Sequence, residues 1–251
     1  MNSVTFSLIG ATVLLAGCYK HEITLTRSEN CVAVTLGPMI VKTNTERPPL
    51  VGDELQFRRV SGSQTAFMVA VVTREFRTYS PQRFVFDLAD LPRVRTASTA
   101  DWERSSVVRL HRRRAGDNFR PTDGTLPGGE LEYRGKKFPR AGKERTYPLT
   151  ALVSPLGGSL ALQSYDRKRP QRFELMPDGG WGGPPTDGNF YLEVYDSSTA
   201  RKVAGVQLSF AGVAAEYLWE QTGWLTERHL VLPVTHLRLE RFVICETPER
   251  R

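Results

Sequence analysis

The chain of 251 residues is 40% apolar and holds sixteen prolines and twenty-one glycines, enough to bury a core in one large domain or two small ones and unlike the make-up of a disordered or fibrous chain. Its formal net charge is +7. Beyond the first segment, apolar runs fall far short of the ~18 residues of a transmembrane helix, so only that segment calls for a membrane.

The first element is the apolar run at residues 4–15. As a helix it would rise roughly 18 Å against a hydrocarbon core of ~30 Å, too little to span. A run of this size followed by small residues has the form of a secretory signal peptide, although residues 1–3 contain no Lys or Arg. The small residues Ala16 and Gly17 lead directly into Cys18. Leu15-Ala16-Gly17-Cys18 resembles the lipobox of bacterial lipoproteins. The resemblance implies that residues 1–17 are a removed signal peptide and that Cys18 carries a diacylglycerol with its fatty chains, palmitate among them. It further implies a lipidated tether at 18–30 and a lipid-anchored, extracytoplasmic place in the bacterial cell envelope. An ordinary signal peptide or an apolar core strand are the other readings of the same residues.

Downstream the chain reads as mainly β, a single domain over 31–251. "HEITLTR", "ELQFRRV" and "QRFVFDL" alternate apolar and polar residues, as half-buried strands do, while "TAFMVAVVT" is a continuous run suited to a central strand. Later strands are expected at "SLALQSYD", "QRFELM", "NFYLEVYD", "RKVAGVQLSF", "RHLVLPV" and "LRLERFVICE", separated by turn signals such as Gly157-Gly158 and Asp187-Gly188. Two short helices are expected, one at "TADWERSSVVRL" with Thr99 as its cap and one at "VAAEYLWEQ".

With Cys18 acylated, Cys31 and Cys245 remain, an even pair in an oxidising compartment. Both lie in strand-like surroundings near opposite ends of the domain. A disulfide between them requires the first and last strands to be neighbours; two separate buried thiols are the alternative.

"LTALVSPLGGSLALQSYD" and "NFYLEVYDSSTARKV" resemble the turn-and-strand units of WD40 or TolB-type β-propeller blades, although the Ser-Pro turn carries no Asp. The resemblance, which covers residues 149–246, implies a propeller, and a chain of this length has room for about five blades. A β-sandwich or an irregular barrel is the alternative.

Residues 104–145 hold twelve Lys or Arg against five Asp or Glu. The whole excess of the chain therefore sits in this one Gly/Pro-rich stretch, read as a basic insertion of two loops around a hairpin at "LEYRGKKF". Arg112, Arg113, Arg114, Lys136, Lys137 and Arg140 are the candidate contacts to an anionic surface, either lipid head groups or an envelope polymer. Nucleic acid is not expected, because no aromatic platform interleaves the cations. A second candidate is Trp181 in the glycine-rich "MPDGGWGGPPTDGN", read as a long loop whose indole can stack on a sugar face or a partner.

Catalytic patterns such as HExxH and GxSxG are missing, and no cysteine cluster suggests zinc. No metal or other cofactor is expected. His111, His229 and His236 read as structural or surface residues, and Glu193 and Asp196 as ordinary hairpin carboxylates. The function expected is that of a membrane-anchored binding or scaffold module, with an envelope protein as a further candidate partner. An envelope hydrolase acting on polysaccharide, with a site assembled only in the fold, is the competing class.

Overall fold

The computed structural model describes residues 22–36, 54–72, 83–115, 131–138, 147–167, 174–175, 181–182, 188–211, 221–234 and 241–249. These form a mainly β protein of several antiparallel sheets with one short helix. The first sheet has the order β1 (Glu22–Glu29), β15 (Lys202–Ala211), β14 (Gly188–Asp196), β11 (Ser159–Arg167), β10 (Tyr147–Val153). A central sheet has the order β16 (Gly223–Trp224), β17 (His229–Pro233), β18 (Arg241–Glu246), β2 (Cys31–Thr35). A third runs β6 (Val94–Thr96), β5 (Arg83–Asp87), β4 (Ala66–Val72), β3 (Glu54–Arg59), β7 (Ser106–Val108).

The alternation of side chains stacks these sheets. Along β17 and β18, Leu230, Leu232, Val243 and Cys245 turn to one side and pack with Phe190, Leu192, Val194 and Leu208 of the first sheet. Their neighbours Val231, Phe242 and Ile244 turn to the other side and meet Phe57, Phe67, Phe84 and Phe86 of the third. A strand buried on both faces reads as an unbroken apolar run, which is why "HLVLP" and "FVIC" show no polar alternation. Four phenylalanines, Phe57, Phe67 and Phe86 of the third sheet and Phe242 of the central sheet, lie in edge-on, tilted and stacked pairs with centroids 5.3 to 6.3 Å apart.

Both outer faces are partly covered. On the first sheet, Leu160, Leu162 and Val153 receive Tyr133 and Phe138 from a hairpin of β8 (Leu131–Tyr133) and β9 (Lys136–Phe138). Its two-residue turn, Arg134-Gly135, has positive φ at both positions, the geometry that lets a tight hairpin follow the strand twist. On the third sheet, Met68, Ala70 and Val85 receive Trp102 from helix α1 (Thr99–Arg104).

Several sequence expectations are corrected here. Among the described residues there is no closed barrel or propeller: the two blade-like segments are the hairpins β10–β11 and β14–β15, joined side by side into one sheet. From Glu22 onward the expected tether is strand β1, paired along its length with β15. The helix cap is Ser98, whose Oγ accepts the Asp101 N–H at 3.1 Å, with Thr99 already inside the helix. The helix stops at Arg104 because Ser105 turns extended and the β-branched Val107 and Val108 continue as β7. "GGWGG" is not wholly loop, since Trp181–Gly182 pairs with Glu174–Leu175 as two short strands. The helix expected at "VAAEYLWEQ" lies outside the described residues except for Gln221.

Cys31 and Cys245 are disulfide-bonded and stand directly opposite each other in β2 and β18, with Cα atoms 3.9 Å apart. The first and last strands of the expected domain are neighbours, without a propeller to bring them together.

The basic stretch is not an insertion in its first part. After β7 pairs with β3, His111 exchanges backbone hydrogen bonds with Trp224 of the central sheet at 2.8 and 2.9 Å. Arg113 then accepts from Val153 N at 2.8 Å, and Ala115 donates to Ala151 of the first sheet at 3.0 Å. One extended run thus straps all three sheets. Gly223 lets it pass: a Cβ there would lie 2.7 Å from Leu110 Cβ and 2.8 Å from Arg112 Cγ.

Candidate functional site

Three hairpin turns and the last described residues gather at one end of the first and central sheets. The β10–β11 turn at 154–158, the β14–β15 turn at 197–201 and the β16–β17 turn at 225–228 converge there with Thr247 and Pro248. Between them lies a cleft of about 270 Å³, with Asp196, Glu227 and Arg228 among its polar lining and Leu156, Val203 and Pro248 among its apolar lining. Leu156 sits at the tip of its turn and is 86% exposed.

Adjacent residues Glu227 and Arg228 build the floor. The Ser-Pro turn has no acid of its own, and Glu227 supplies one from more than sixty residues away: it accepts hydrogen bonds from Ser154 Oγ at 2.6 Å, Leu156 N at 2.6 Å and Gly158 N at 3.3 Å. Arg228 clamps the other side, donating from Nε to the Thr247 carbonyl at 3.0 Å and pairing with Glu246 at 2.7 Å. Asp196 closes the β14–β15 turn, its Oδ1 accepting from the N–H and hydroxyl groups of Ser198 and Thr199. Burial raises its pKa, but those four donors outweigh it and bring the carboxyl down to about 2.

A hydroxyl, a histidine and a carboxylate meet beside the cleft. Thr226 Oγ1 lies 2.7 Å from His229 Nδ1, and His229 Nε2 is 3.8 Å from Glu246 Oε1. Thr226 Oγ1 also accepts the backbone N–H groups of Arg228 and His229 at 3.2 and 3.1 Å. Its proton therefore points to Nδ1, and the neutral ring carries its own proton on Nε2, toward Glu246. Burial depresses the His229 pKa, with Glu246 pulling it the other way and Arg228 reinforcing the fall. The hydroxyl's lone pairs are committed to the turn, so the trio orders a loop and presents no free nucleophile.

On the outer face of the first sheet, Lys202 Nζ bridges Glu193 at 3.2 Å and Glu29 at 3.4 Å, and Tyr195 Oη donates to Glu193 at 2.8 Å. Burial first, then Glu193, hold the Tyr195 phenol well above its usual range. Asp166 gathers Asn189 and the Tyr191 hydroxyl, the latter at 2.9 Å; burial and this carboxylate push Tyr191 up to about 12. Glu193 and Asp196 are thus anchoring groups and not bystanders of a hairpin.

Of the residues singled out in the sequence, Arg113, Arg114, Lys136 and Lys137 are exposed on the strap and the β8–β9 hairpin. Arg112 is exposed as well but donates from Nε to the Thr222 carbonyl at 3.0 Å, which ties it to the strap. Cys18 and Arg140 lie outside the described residues, and of Trp181 only its strand pairing is described. Among the described residues no group of three or more His, Cys, Asp or Glu has the arrangement of a metal site, and no helix is long and apolar enough to cross a membrane. Sequence reading missed Glu227 and Arg228, whose partners are distant in the chain; the acid-less Ser-Pro turn was the one local sign that a carboxylate had to come from elsewhere. No protein-family model, curated protein or solved structure matches the chain.

Proposed function

We propose that this chain is a lipid-anchored protein of the bacterial cell envelope whose layered β domain works outside the cytoplasm as a binding or scaffold module. The observation that carries the reading is the Cys31–Cys245 disulfide across β2 and β18, because such bonds persist in oxidising compartments and are rare in the cytosol. It agrees with an apolar leader too short to span a bilayer that runs into Leu15-Ala16-Gly17-Cys18. Two acyl chains on Cys18 would hold the protein firmly, since each buried CH₂ contributes ~0.8 kcal/mol. Mass spectrometry of the protein extracted from membranes tests this: the expected amino terminus is an acylated Cys18, with residues 1–17 gone and no free thiol at Cys31 or Cys245. A terminus at Met1 with both thiols free would refute it.

A hydrolase is the second reading, favoured by one observation: the cleft brings Asp196 and Glu227 to one place. A polysaccharide hydrolase needs one carboxyl kept protonated as general acid. Asp196 is driven the opposite way, and Glu227 spends its oxygens on the 154–158 turn. Binding is therefore the better account. Hydrolysis of an envelope polysaccharide that vanishes in both Asp196→Asn and Glu227→Gln would reverse that order.

A further inference from the structure

The strap gives the stack of sheets one closed side and one open side. It joins β7, β16 and β10, one edge of each of the three sheets, so the edges opposite are β6, β2 and β1. A bare edge offers unpaired peptide groups to any other strand, and proteins blunt such edges with charges, bulges or brevity. β1 carries the exposed Arg27 and Glu29 and a register shift between Leu25 and Arg27. β6 is three residues long and holds the exposed Arg95. β2, Cys31-Val32-Ala33-Val34-Thr35, has none of these devices: it is uncharged and pairs with β18 through five successive residues without a break.

The register fixes which peptide groups of β2 look outward. Asn30 directly precedes the Cys31–Cys245 pair, and its carbonyl accepts the Glu246 N–H at 2.9 Å. That makes Asn30 and Glu246 a hydrogen-bonded pair, and such pairs alternate with non-bonded ones along an antiparallel ladder. Val32 and Val34 are therefore bonded to β18, whereas Cys31, Ala33 and Thr35 turn their N–H and C=O groups to the open side. The Cys31 carbonyl takes the Ser28 hydroxyl there, at 2.5 Å. Among the described residues no backbone group meets Ala33 or Thr35 from that side. Val32 is 37% exposed, although its neighbour Val34 is fully buried.

We propose that β2 is a dimerisation edge whose occupant is β2 of a second copy of this chain, running antiparallel about a two-fold axis at Ala33. The strand fits its own reverse. The two Ala33 residues exchange N–H···O=C bonds, and each Cys31 N–H reaches the Thr35 carbonyl of the other copy, about four backbone bonds in all. Val32 then stands across from Val34 of the other copy at a non-bonded position, where side chains approach most closely. Because the strand is uncharged, self-pairing sets no like charges opposite each other. The two four-stranded central sheets become one continuous sheet, and a contact of this symmetry closes on itself without building a fibre. The inference goes beyond the binding or scaffold reading and does not depend on the lipid anchor.

The test is sedimentation equilibrium of the full chain in a density-matched detergent, from about 1 to about 200 µM, with deuterium exchange resolved at single amides of β2. A contact between two edges is small, so half-dimerisation is expected on the order of tens of micromolar. Across that range exchange at Cys31 and Ala33 should slow at least about threefold, while the amides of Val32 and Val34, already bonded to β18, change less. Ala33→Pro removes the central donor and no bond to β18, a replacement that an outward-facing edge position tolerates. It should weaken dimerisation at least about tenfold while melting like the parent. Should proline unsettle β2, exchange at Ala33 against Val34 in the parent still decides. A parent that stays monomeric throughout overturns the proposal, even where a strand of another protein protects the same amides. So does a dimer whose Ala33 amide exchanges at the monomer's rate, or a folded Ala33→Pro variant that dimerises like the parent.

Discussion

In the central sheet, β17 and β18 give both faces to the interior, so that Leu230 and Val243 fill one core while Val231, Phe242 and Ile244 fill the next. The run from β7 to Ala115 is equally central to the architecture, yet it contributes chiefly peptide groups, pairing in turn with Arg59, Trp224 and Ala151 while its arginines face solvent. The difference separates two things that composition confounds. An apolar run reports where side chains go; a charged run reports only that side chains avoid the core, and its backbone remains free to complete a sheet edge.

The sharpest break in that comparison comes from truncating one side chain in each region. Phe242 is fully buried and touches the rings of Phe57 and Phe86 at 5.9 and 5.3 Å, so Phe242→Ala should destabilise the fold by about 3–5 kcal/mol in urea denaturation. Arg113→Ala should cost less than about 0.5 kcal/mol, because the strap's hydrogen bonds belong to the backbone. Comparable losses would show that the strap arginines pack as core residues.

Next in size is the covalent tie within the central sheet. The disulfide joins residues 214 apart in sequence, and the chain-entropy model values such a loop at roughly 5 kcal/mol, an upper bound. The double variant Cys31→Ala/Cys245→Ala should lose about 2–4 kcal/mol by the same measurement. A loss under about 1 kcal/mol would mean that the unfolded chain is already held compact.

At the turn end, Glu227→Ala removes the acceptor for two backbone donors and the Ser154 hydroxyl. A loss of about 1–3 kcal/mol is expected, together with faster amide exchange at Leu156 and Gly158. Glu227→Gln should recover part of it, since its amide oxygen still accepts. Unchanged exchange in the alanine variant would place the stiffness of the turn in its own Ser154 and Ser159 hydrogen bonds.

Much of the fold was legible because period and punctuation agree. "ELQFRR", "RFVFD" and "LEYRGKKF" alternate and end at turn residues, and they form β3, β5 and the β8–β9 hairpin with boundaries that hold within a residue. The cysteine count offered the pairing of first and last strands as one of two readings, and the disulfide decides between them. Which sheets stack on which was not, because a fully apolar strand such as "HLVLP" looks the same whatever covers its faces. The blade-like hairpins misled for a related reason: local hairpin chemistry is shared by propellers and open sheets, and only the long-range pairing of β15 with β1 distinguishes them. The candidate cleft was least legible, since Glu227 finds Ser154, and Asp196 comes to line one cleft with Pro248, only after three separate hairpins are placed side by side.

The smallest expected effect is a pH dependence confined to this end. Burial lowers the His229 pKa below that of the unfolded chain, near 6.5, with Glu246 opposing and Arg228 assisting. The unfolded state therefore binds more protons in the window just below 6.5, and stability falls as the pH drops through it. His229→Asn keeps an acceptor for the Thr226 hydroxyl but cannot charge, so its stability between pH 7 and 5 should decline less steeply than that of the parent. Glu246→Gln should act in the reverse sense: it removes the one attraction that favours the charged ring, deepens the depression and extends the decline to lower pH. Parallel curves for parent and His229→Asn would mean that the ring takes up its proton as readily in the folded protein as in the unfolded chain, and that the 226–229 turn yields to a charge its surroundings were expected to exclude.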